Sequence, residues 1–174
     1  MKNIKLIALD VDGVLTDGKL LIGPKGIEYK SFHVKDGMGI SLARSAGIKI
    51  AWITGRHSEA VLNRANELNI DYLFEGITDK TEVLYKLIDE LNISLQEVFY
   101  MGDDINDLPV MKIVGFSAAP SDAVNVVKNE ADLVCCHLGG NGAVREAIDL
   151  ILSNKGDYQP QTAVLTEEQY KLEQ

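Results

Sequence analysis

Short apolar segments rich in branched side chains alternate along this chain with longer segments whose apolar residues recur at helical spacing. The short segments predict buried strands at residues 4–9, 48–53, 72–74, 98–101, 115–118 and 132–135. The longer segments predict helices that begin near Asp36, Ser58, Thr78, Asp122 and Ala143. Because strands that alternate with helices pair in parallel through right-handed connections, we predict an α/β fold with a Rossmann-like, mostly parallel sheet and helices on both faces.

One segment departs from this alternation. Residues 19–34 contain two β-prone stretches around the turn Gly23-Pro-Lys-Gly26, which predicts a β-hairpin projecting from the loop after the first strand. The sequence leaves open whether this hairpin is a lid, an oligomer contact or a simple edge ribbon. We expect residues 1–153 to form a single domain that includes the hairpin, followed by a polar C-terminal tail at 154–174.

The charge and hydropathy of the chain argue against several classes of protein. A formal net charge of −9 over 174 residues leaves no basic stripe for nucleic acid. No apolar run approaches the length of a membrane span, and Met1-Lys-Asn3 runs directly into the first strand. We therefore expect no signal peptide and a cytoplasmic protein. The adjacent Cys135 and Cys136 are poorly spaced for an ordinary disulfide, which agrees with a reducing compartment, but their role stays open.

Polar residues suited to chemistry follow three of the predicted strands. Asp10 and Asp12 follow the first strand, Thr54 follows the second, and Asp103 and Asp107 follow the fourth. Because parallel strands end at one edge of a sheet, we expect these side chains to converge there. Carboxylates so close together repel one another unless a hard cation lies between them, and Mg²⁺ prefers such oxygen ligands. The sequence therefore predicts a magnesium site at this edge.

Lys80 stands in the first turn of the predicted helix that begins near Thr78. The positive end of the helix dipole makes a cation mildly unfavourable at this position, which suggests a functional reason for the lysine, although a surface lysine is the commoner case. From this turn the ammonium group can reach the same edge of the sheet.

Four short segments around these residues form an ordered set. They are Asp10-Val-Asp-Gly-Val14, the threonine of Ile53-Thr-Gly-Arg56, the helix-start Lys80, and Gly102-Asp-Asp-Ile-Asn-Asp107. Together they resemble the motifs of the haloacid dehalogenase superfamily, in its phosphatase branch. The first interval between motifs holds only the hairpin and a helix, and the second is also short. The resemblance therefore implies a member without a cap domain.

The resemblance implies a division of labour between the acids that follow the strands. Asp10 is the expected nucleophile and forms an aspartyl-phosphate. Asp12 is expected to protonate the leaving alcohol and then to act as the base that activates water. Mg²⁺ is expected on Asp10, on Asp103 and on the backbone carbonyl of Asp12.

The remaining motif residues are expected to assist. The resemblance implies that Thr54 hydrogen-bonds the phosphoryl oxygens and that Lys80 neutralises developing charge and anchors the nucleophile. Asp107 is expected to brace Lys80 and the metal-binding loop. Asp104 is expected only in the outer surroundings of the metal.

Three longer segments, residues 32–40, 53–56 and 139–146, narrow the resemblance. They are similar to the 3-deoxy-D-manno-octulosonate 8-phosphate phosphatases. That family implies a sugar-acid product for lipopolysaccharide assembly and a homotetramer in which the hairpin and the tail help cover neighbouring active sites. The substrate carboxylate then needs cations. The candidates are Lys35, Arg56 and Arg64.

Two alternatives stay open. In phosphatases of nine-carbon keto-sugar acids an acidic residue tends to stand where this chain has Arg56, which favours the eight-carbon substrate. Leu62 and Asn63 replace arginines common in the family, which bears on substrate affinity or subunit contact.

A phosphoacceptor signalling module also combines aspartate, Mg²⁺, threonine and lysine on an α/β sheet. Such a module lacks an acid/base carboxylate at the position of Asp12.

Overall fold

The computed structural model describes residues 3–155, so residues 156–174 of the predicted tail lie outside the described residues. The strands of the described part are β1 (Leu6–Leu9), β2 (Leu21–Ile22), β3 (Glu28–Tyr29), β4 (Lys49–Ile53), β5 (Tyr72–Phe74), β6 (Val98–Met101), β7 (Phe116–Ala119) and β8 (Leu133–Val134). Its α-helices are α1 (Val34–Ser45), α2 (Glu59–Glu67), α3 (Lys80–Leu91), α4 (Leu108–Met111), α5 (Asn125–Glu130) and α6 (Ala143–Asn154). Between residues 3 and 155, no helix has the length and apolar character needed to cross a membrane.

Six of the strands form one parallel sheet in the order β5-β4-β1-β6-β7-β8. The chain passes from β1 to β4 and β5 on one side, then crosses to β6 and continues to β8 on the other. The central strand β1 pairs with both β4 and β6, so that Leu9 lies between Trp52 and Met101. The order of strands therefore reverses between β1 and β6, and in such sheets a crevice forms beyond the strand ends at the reversal.

Successive side chains of β1 point to opposite faces of the sheet. Ile7 and Leu9 pack with apolar residues of α1, α2 and α6, whereas Leu6 and Ala8 pack with residues of α3, α4 and α5. Every residue of β1 is buried, as expected for a strand covered on both faces. The prediction of an α/β fold with a parallel sheet between two layers of helices is confirmed.

The boundaries of some elements differ from the predictions. The sequence does not predict α4, because four residues are too few to display a helical period. Helix α5 begins at Asn125 rather than near Asp122, and β8 has two residues instead of four. Asp122 instead accepts a hydrogen bond from the backbone N–H of Gly139 at 2.9 Å. This bond links the loop after β7 to the loop before α6.

The predicted hairpin is present, with β2 and β3 paired antiparallel across a 3₁₀ turn. Its two strands expose apolar side chains: Leu21, Ile22 and Tyr29 are 66%, 63% and 51% exposed. In the paired strands Leu21 lies opposite Tyr29 and Ile22 lies opposite Glu28, so both faces of the ribbon expose apolar side chains. The hairpin therefore presents apolar side chains that are available for contact with another molecule.

Replacing Leu6 by alanine tests the packing of β1. Leu6 is fully buried in the central strand, so the substitution removes apolar contacts and leaves a cavity. We expect the free energy of unfolding, measured by urea denaturation, to fall by about 2–5 kcal/mol. Leu62→Ala on α2 is the matched control, because Leu62 is 44% exposed and its loss is expected to cost less than about 1 kcal/mol. Equal losses in the two variants would contradict the described core.

Candidate active site

The loop after β1 places Asp10 at the reversal of strand order. The backbone N–H of Asp10 donates to the carbonyl of Met101 at 3.0 Å, which ties the start of the loop to the end of β6. The N–H groups of Leu15 and Thr16 both donate to the carbonyl of Val11, at 2.9 and 3.0 Å, so the loop folds back into a tight turn. Asp10 is only 6% exposed, and its side chain has little access to water.

Gly13 allows the loop after β6 to approach the loop after β1. Its φ of +93° lies in a region that residues with a Cβ rarely adopt. A Cβ on Gly13 would lie 2.1 Å from Oδ2 of Asp103, far inside van der Waals contact. The carboxylate of Asp103 therefore packs directly against the backbone of the loop that carries Asp10.

Lys80 reaches this site from the first position of α3, where the Asp79 carboxylate caps the helix. The Nζ atom of Lys80 donates to Oδ1 of Asp10 at 2.5 Å and to Oδ1 of Asp107 at 2.7 Å. Burial lowers the pKa of the Lys80 ammonium, but the charges of Asp10 and Asp107 outweigh this effect, so the pKa of Lys80 lies above its ordinary value. The predicted reach of Lys80 to the sheet edge is what the structure shows.

Asp107 links Lys80 to the loop after β6. Besides Lys80, its Oδ1 accepts the hydroxyl of Tyr100 at 2.6 Å. Its Oδ2 accepts the backbone N–H groups of Asp103 at 2.9 Å and Asp104 at 3.2 Å. Asp107 is fully buried, and its four contacts fit the predicted bracing role. Tyr100 is a site residue that the sequence does not reveal, because it lies inside the apolar run of β6.

Asp10, Asp103 and Asp107 each place a carboxylate oxygen within 4.8 Å of the others. Burial raises the pKa of Asp10 to about 6, with the charge of Lys80 opposing and that of Asp107 adding to the shift. Burial also raises the pKa of Asp103 to about 8, and the charges of Asp10, Asp107 and Asp104 add to the increase. The cluster therefore disfavours its own negative charge when no cation is bound.

The oxygen donors of this cluster fit a hard divalent cation such as Mg²⁺. Both oxygens of Asp107 already accept hydrogen bonds, which makes Asp107 less available as a ligand than Asp10 and Asp103. The metal set implied by the resemblance, which is Asp10, Asp103 and the backbone carbonyl of Asp12, stays a prediction. Asp104 is exposed and accepts the N–H of Ile105 at 2.7 Å.

Thr54 lies at the same edge, immediately after β4. Its side chain is buried, its N–H donates to the carbonyl of Phe74 at 2.9 Å, and its Oγ1 accepts the N–H of Arg56 at 3.2 Å. Asp10, Thr54 and Asp103 thus follow strands that lie side by side in the sheet, at the edge where the sequence predicts that these side chains converge.

Asp12 takes part in a cluster of two acids and two cations that we call the four-charge ring: Asp12, Glu28, Lys30 and Arg56. The Lys30 ammonium bonds Oδ1 of Asp12 and lies 3.0 Å from Oε1 of Glu28. Nη2 of Arg56 donates to Oε2 of Glu28 at 2.7 Å, and its Nε lies 4.0 Å from Oδ2 of Asp12. The hydrogen bond from Arg56 is the main reason that the pKa of Glu28 falls to about 2.

Lys35 and Arg64 lie elsewhere. Lys35 lines a cleft of about 660 Å³ at the starts of α1 and α6, together with His33 and Arg145. Nη1 of Arg64 pairs with Glu67 at 2.8 Å on α2. Among residues 3–155, neither cation forms an ion pair or hydrogen bond with the acidic cluster. Of the three cations predicted to bind substrate, the structure therefore brings Arg56 alone to the site of Asp10 and Asp12, and the role of the other two stays a prediction.

The fold and the acidic site define a class of enzyme. Residues 73–148 match the family described as haloacid dehalogenase-like hydrolase. The parallel sheet, the carboxylates at the reversal of strand order and the buried lysine beside them agree with that class.

Individual relatives narrow the class. A protein of Escherichia coli K12 named 3-deoxy-D-manno-octulosonate 8-phosphate phosphatase KdsC is 44% identical over 155 residues, which cover 89% of this chain and 82% of the relative. The solved Yersinia pestis phosphatase of the same name gives a TM-score of 0.87 at 42% identity, covering 88% of this chain and 83% of that one. The Moraxella catarrhalis phosphatase, solved with magnesium ion, phosphate ion and a KDO molecule, gives a TM-score of 0.90 at 39% identity over 93% of both chains. This chain belongs to the family of 3-deoxy-D-manno-octulosonate 8-phosphate phosphatases.

Mg²⁺ is expected to stabilise this protein more at pH 8 than at pH 5. The pKa of Asp103 is about 8 in the folded protein, against an ordinary value of 3.8, so the folded state without metal keeps a proton that the unfolded chain releases. Between about pH 4 and pH 8 the folded state therefore binds more protons, and its stability without metal falls as the pH rises. A cation requires ionised carboxylates, so it meets least competition from protons at the upper end of this range.

Thermal unfolding in EDTA and in excess Mg²⁺ measures this difference. We expect the Mg²⁺-induced rise in Tm to be larger at pH 8 than at pH 5 by about 3 °C or more. Asp103→Asn is expected to lose most of the rise at both pH values. A rise that is equal at the two pH values, or that survives in Asp103→Asn, would show that Asp103 does not hold the ion.

Proposed function

We propose that this protein is a Mg²⁺-dependent phosphatase that hydrolyses 3-deoxy-D-manno-octulosonate 8-phosphate to the free sugar acid and inorganic phosphate, for lipopolysaccharide assembly. The observation that carries the proposal is the buried pair of Asp10 and Lys80, with nitrogen and oxygen 2.5 Å apart beside the carboxylate of Asp103. The named phosphatases to which the chain is similar support the substrate. An aspartyl-phosphate on Asp10 is the intermediate.

In the first step, the carboxylate of Asp10 attacks the phosphorus of the ester. The bond from phosphorus to the sugar oxygen breaks, its electron pair stays on that oxygen, and Asp12 supplies the proton that completes the alcohol. Lys80 holds Asp10 in place and offsets charge on the phosphoryl group. The buried hydroxyl of Thr54 at the same edge is suited to bind a phosphoryl oxygen.

In the second step, water attacks the phosphorus of the aspartyl-phosphate and Asp12, now ionised, accepts a proton from that water. The bond between phosphorus and the Asp10 oxygen breaks, inorganic phosphate leaves, and Asp10 returns as a carboxylate. When bound to Asp10, Asp103 and the backbone carbonyl of Asp12, Mg²⁺ supplies positive charge that offsets repulsion between the phosphoryl oxygens and the carboxylates. Asp107 keeps Lys80 and the loop after β6 in register through its four hydrogen bonds.

The surroundings of Asp12 argue against a phosphoacceptor signalling module. Such a module keeps its phosphoaspartate for minutes or longer, and a nearby carboxylate that activates water would shorten this lifetime. Oδ2 of Asp12 is buried and has no hydrogen-bond partner among residues 3–155, so it is available for proton transfer. A phosphorylated form that persists for minutes in wild-type protein would favour the signalling module instead.

Replacing the nucleophile tests the proposed reaction. Wild-type protein with Mg²⁺ is expected to release phosphate from 3-deoxy-D-manno-octulosonate 8-phosphate. Asp10→Asn is expected to lower kcat by at least about 10³-fold, because an amide does not replace the nucleophilic carboxylate. Asp89→Asn, an equivalent change at an exposed position of α3, is the matched control and is expected to keep wild-type turnover.

Two results would contradict the proposal: no turnover by wild-type protein, or unchanged turnover by Asp10→Asn. The same assay with a nine-carbon keto-sugar acid 9-phosphate decides the alternative substrate. Arg56, which lies at the site of Asp12, favours the eight-carbon compound, so its kcat/KM is expected to be higher. Lys35→Met and Arg64→Met then show whether these two cations affect KM.

We propose further that four copies of this chain associate through the hairpin, in the cytoplasm. The exposed apolar side chains of Leu21, Ile22 and Tyr29 support this assembly, since their burial removes apolar surface from water. The expectation that the tail of one subunit covers a neighbouring site concerns residues outside the described part of the chain.

A charge on the hairpin tests the assembly. Leu21→Glu is expected to shift the species seen by sedimentation velocity from tetramer to dimer or monomer, because it buries an unpaired carboxylate in the contact. Leu138→Glu is the control, since Leu138 is 48% exposed and lies outside the hairpin. A Leu21→Glu variant with the sedimentation coefficient of wild type would refute the hairpin as the contact.

A further inference from the structure

The two carboxylate oxygens of Asp12 have different surroundings. Oδ1 accepts hydrogen bonds from the Lys30 ammonium and from the hydroxyl of Thr16, the latter at 3.3 Å. Oδ2 is buried without a hydrogen-bond partner among residues 3–155, and Nε of Arg56 lies 4.0 Å from it. A carboxylate held by one oxygen has a fixed orientation, which leaves the other oxygen free for a bond with a ligand.

We infer that Lys30 is a positioning residue for Asp12, which holds Oδ1 so that Oδ2 faces the substrate and exchanges the proton. The inference rests on the proposed function, in which Asp12 protonates the leaving oxygen. The inference gives a role to a residue of the hairpin, which lies outside the four motifs. Lys30 itself makes no bond to the reacting atoms in this assignment.

The geometry of the hairpin explains why Lys30 can hold this position. Glu28 and Lys30 are two residues apart in an extended ribbon, so their side chains project from the same face. Tyr29 between them projects from the other face and is 51% exposed. The side chain of Lys30 is completely buried, and its ammonium forms ion pairs with both Asp12 and Glu28, the latter at 3.0 Å.

The charges of the four-charge ring balance, with two carboxylates against two cations. Loss of the Lys30 ammonium would leave Asp12 without its strongest partner and Glu28 bonded to Arg56 alone. An unpaired carboxylate in a largely buried position turns toward another donor or toward water. The expected result is an Asp12 that is present but wrongly oriented, which impairs proton transfer more than phosphate binding.

Lys30→Met tests the inference through the leaving group. A sugar alcohol needs a proton as it leaves, whereas the p-nitrophenolate of p-nitrophenyl phosphate is stable without one. We expect Lys30→Met to lower kcat/KM for the sugar-acid phosphate by about ten- to a hundredfold and to leave kcat/KM for p-nitrophenyl phosphate within about threefold of wild type. Lys30→Arg, which keeps the charge, is expected to recover part of the loss.

Lys25→Met is the matched control, because Lys25 is an exposed lysine at the tip of the same hairpin. It is expected to match wild type on both substrates. Thermal unfolding with and without Mg²⁺ checks that each variant is folded. If Lys30→Met does not fold, Lys30→Gln provides the same comparison.

A double-variant comparison separates positioning from direct substrate binding. If Lys30 acts through Asp12, adding Lys30→Met to Asp12→Asn causes no further loss of kcat/KM, whereas independent effects would multiply. Multiplying effects, or equal losses of Lys30→Met on both substrates, would overturn the inference. Failure of the proposed substrate is distinguishable, because an alkyl phosphate that the enzyme does hydrolyse can replace the sugar-acid phosphate in the comparison.

Discussion

Carboxylates that repel one another at one edge of the sheet determine what the surrounding loops and helices must hold in place. Asp10, Asp103 and Asp107 approach within 4.8 Å of one another, and Lys80 bonds two of them. Three carboxylates and one ammonium leave an excess of two negative charges in a poorly solvated place, which a divalent cation would neutralise. The pKa values of Asp10 and Asp103 are raised by burial, and also because a proton on either carboxyl group reduces this excess of negative charge. The tight loops and the helix that begins at Lys80 hold this arrangement together.

The sequence predicts well where the residues of this site converge, because their convergence follows from the positions of the strand ends. Asp10, Thr54 and Asp103 each follow a buried strand, and parallel strands end together whatever the details of packing. The assignment of chemical roles required more than this pattern, since spacing alone does not separate a nucleophile from a metal ligand. The ordered resemblance to the haloacid dehalogenase superfamily supplies that distinction.

What the sequence misses depends on how distant segments dock. Tyr100 lies within an apolar strand, where a tyrosine ordinarily indicates core packing, and only the structure shows its hydroxyl on Asp107. Lys30 contacts Asp12 across 18 positions, because the hairpin folds back over the loop after β1. The guanidinium of Arg64 packs beside Gly37 and pairs with Glu67, contacts that the sequence does not indicate, while its role toward substrate stays a prediction. Charge and position in the sequence do not fix the direction of a long side chain.

The contact between Gly13 and Asp103 has a consequence for descendants of this chain. Because a Cβ at position 13 would overlap the carboxylate of Asp103, the glycine and the acid constrain each other for as long as the ion is needed. A duplicated copy that no longer bound the ion would tolerate other residues in place of Asp103, but the φ of +93° at Gly13 would still disfavour any residue with a Cβ there. Of the two positions, 103 is therefore the one at which the loss of the ion would first permit a different residue, while the backbone keeps the glycine at position 13.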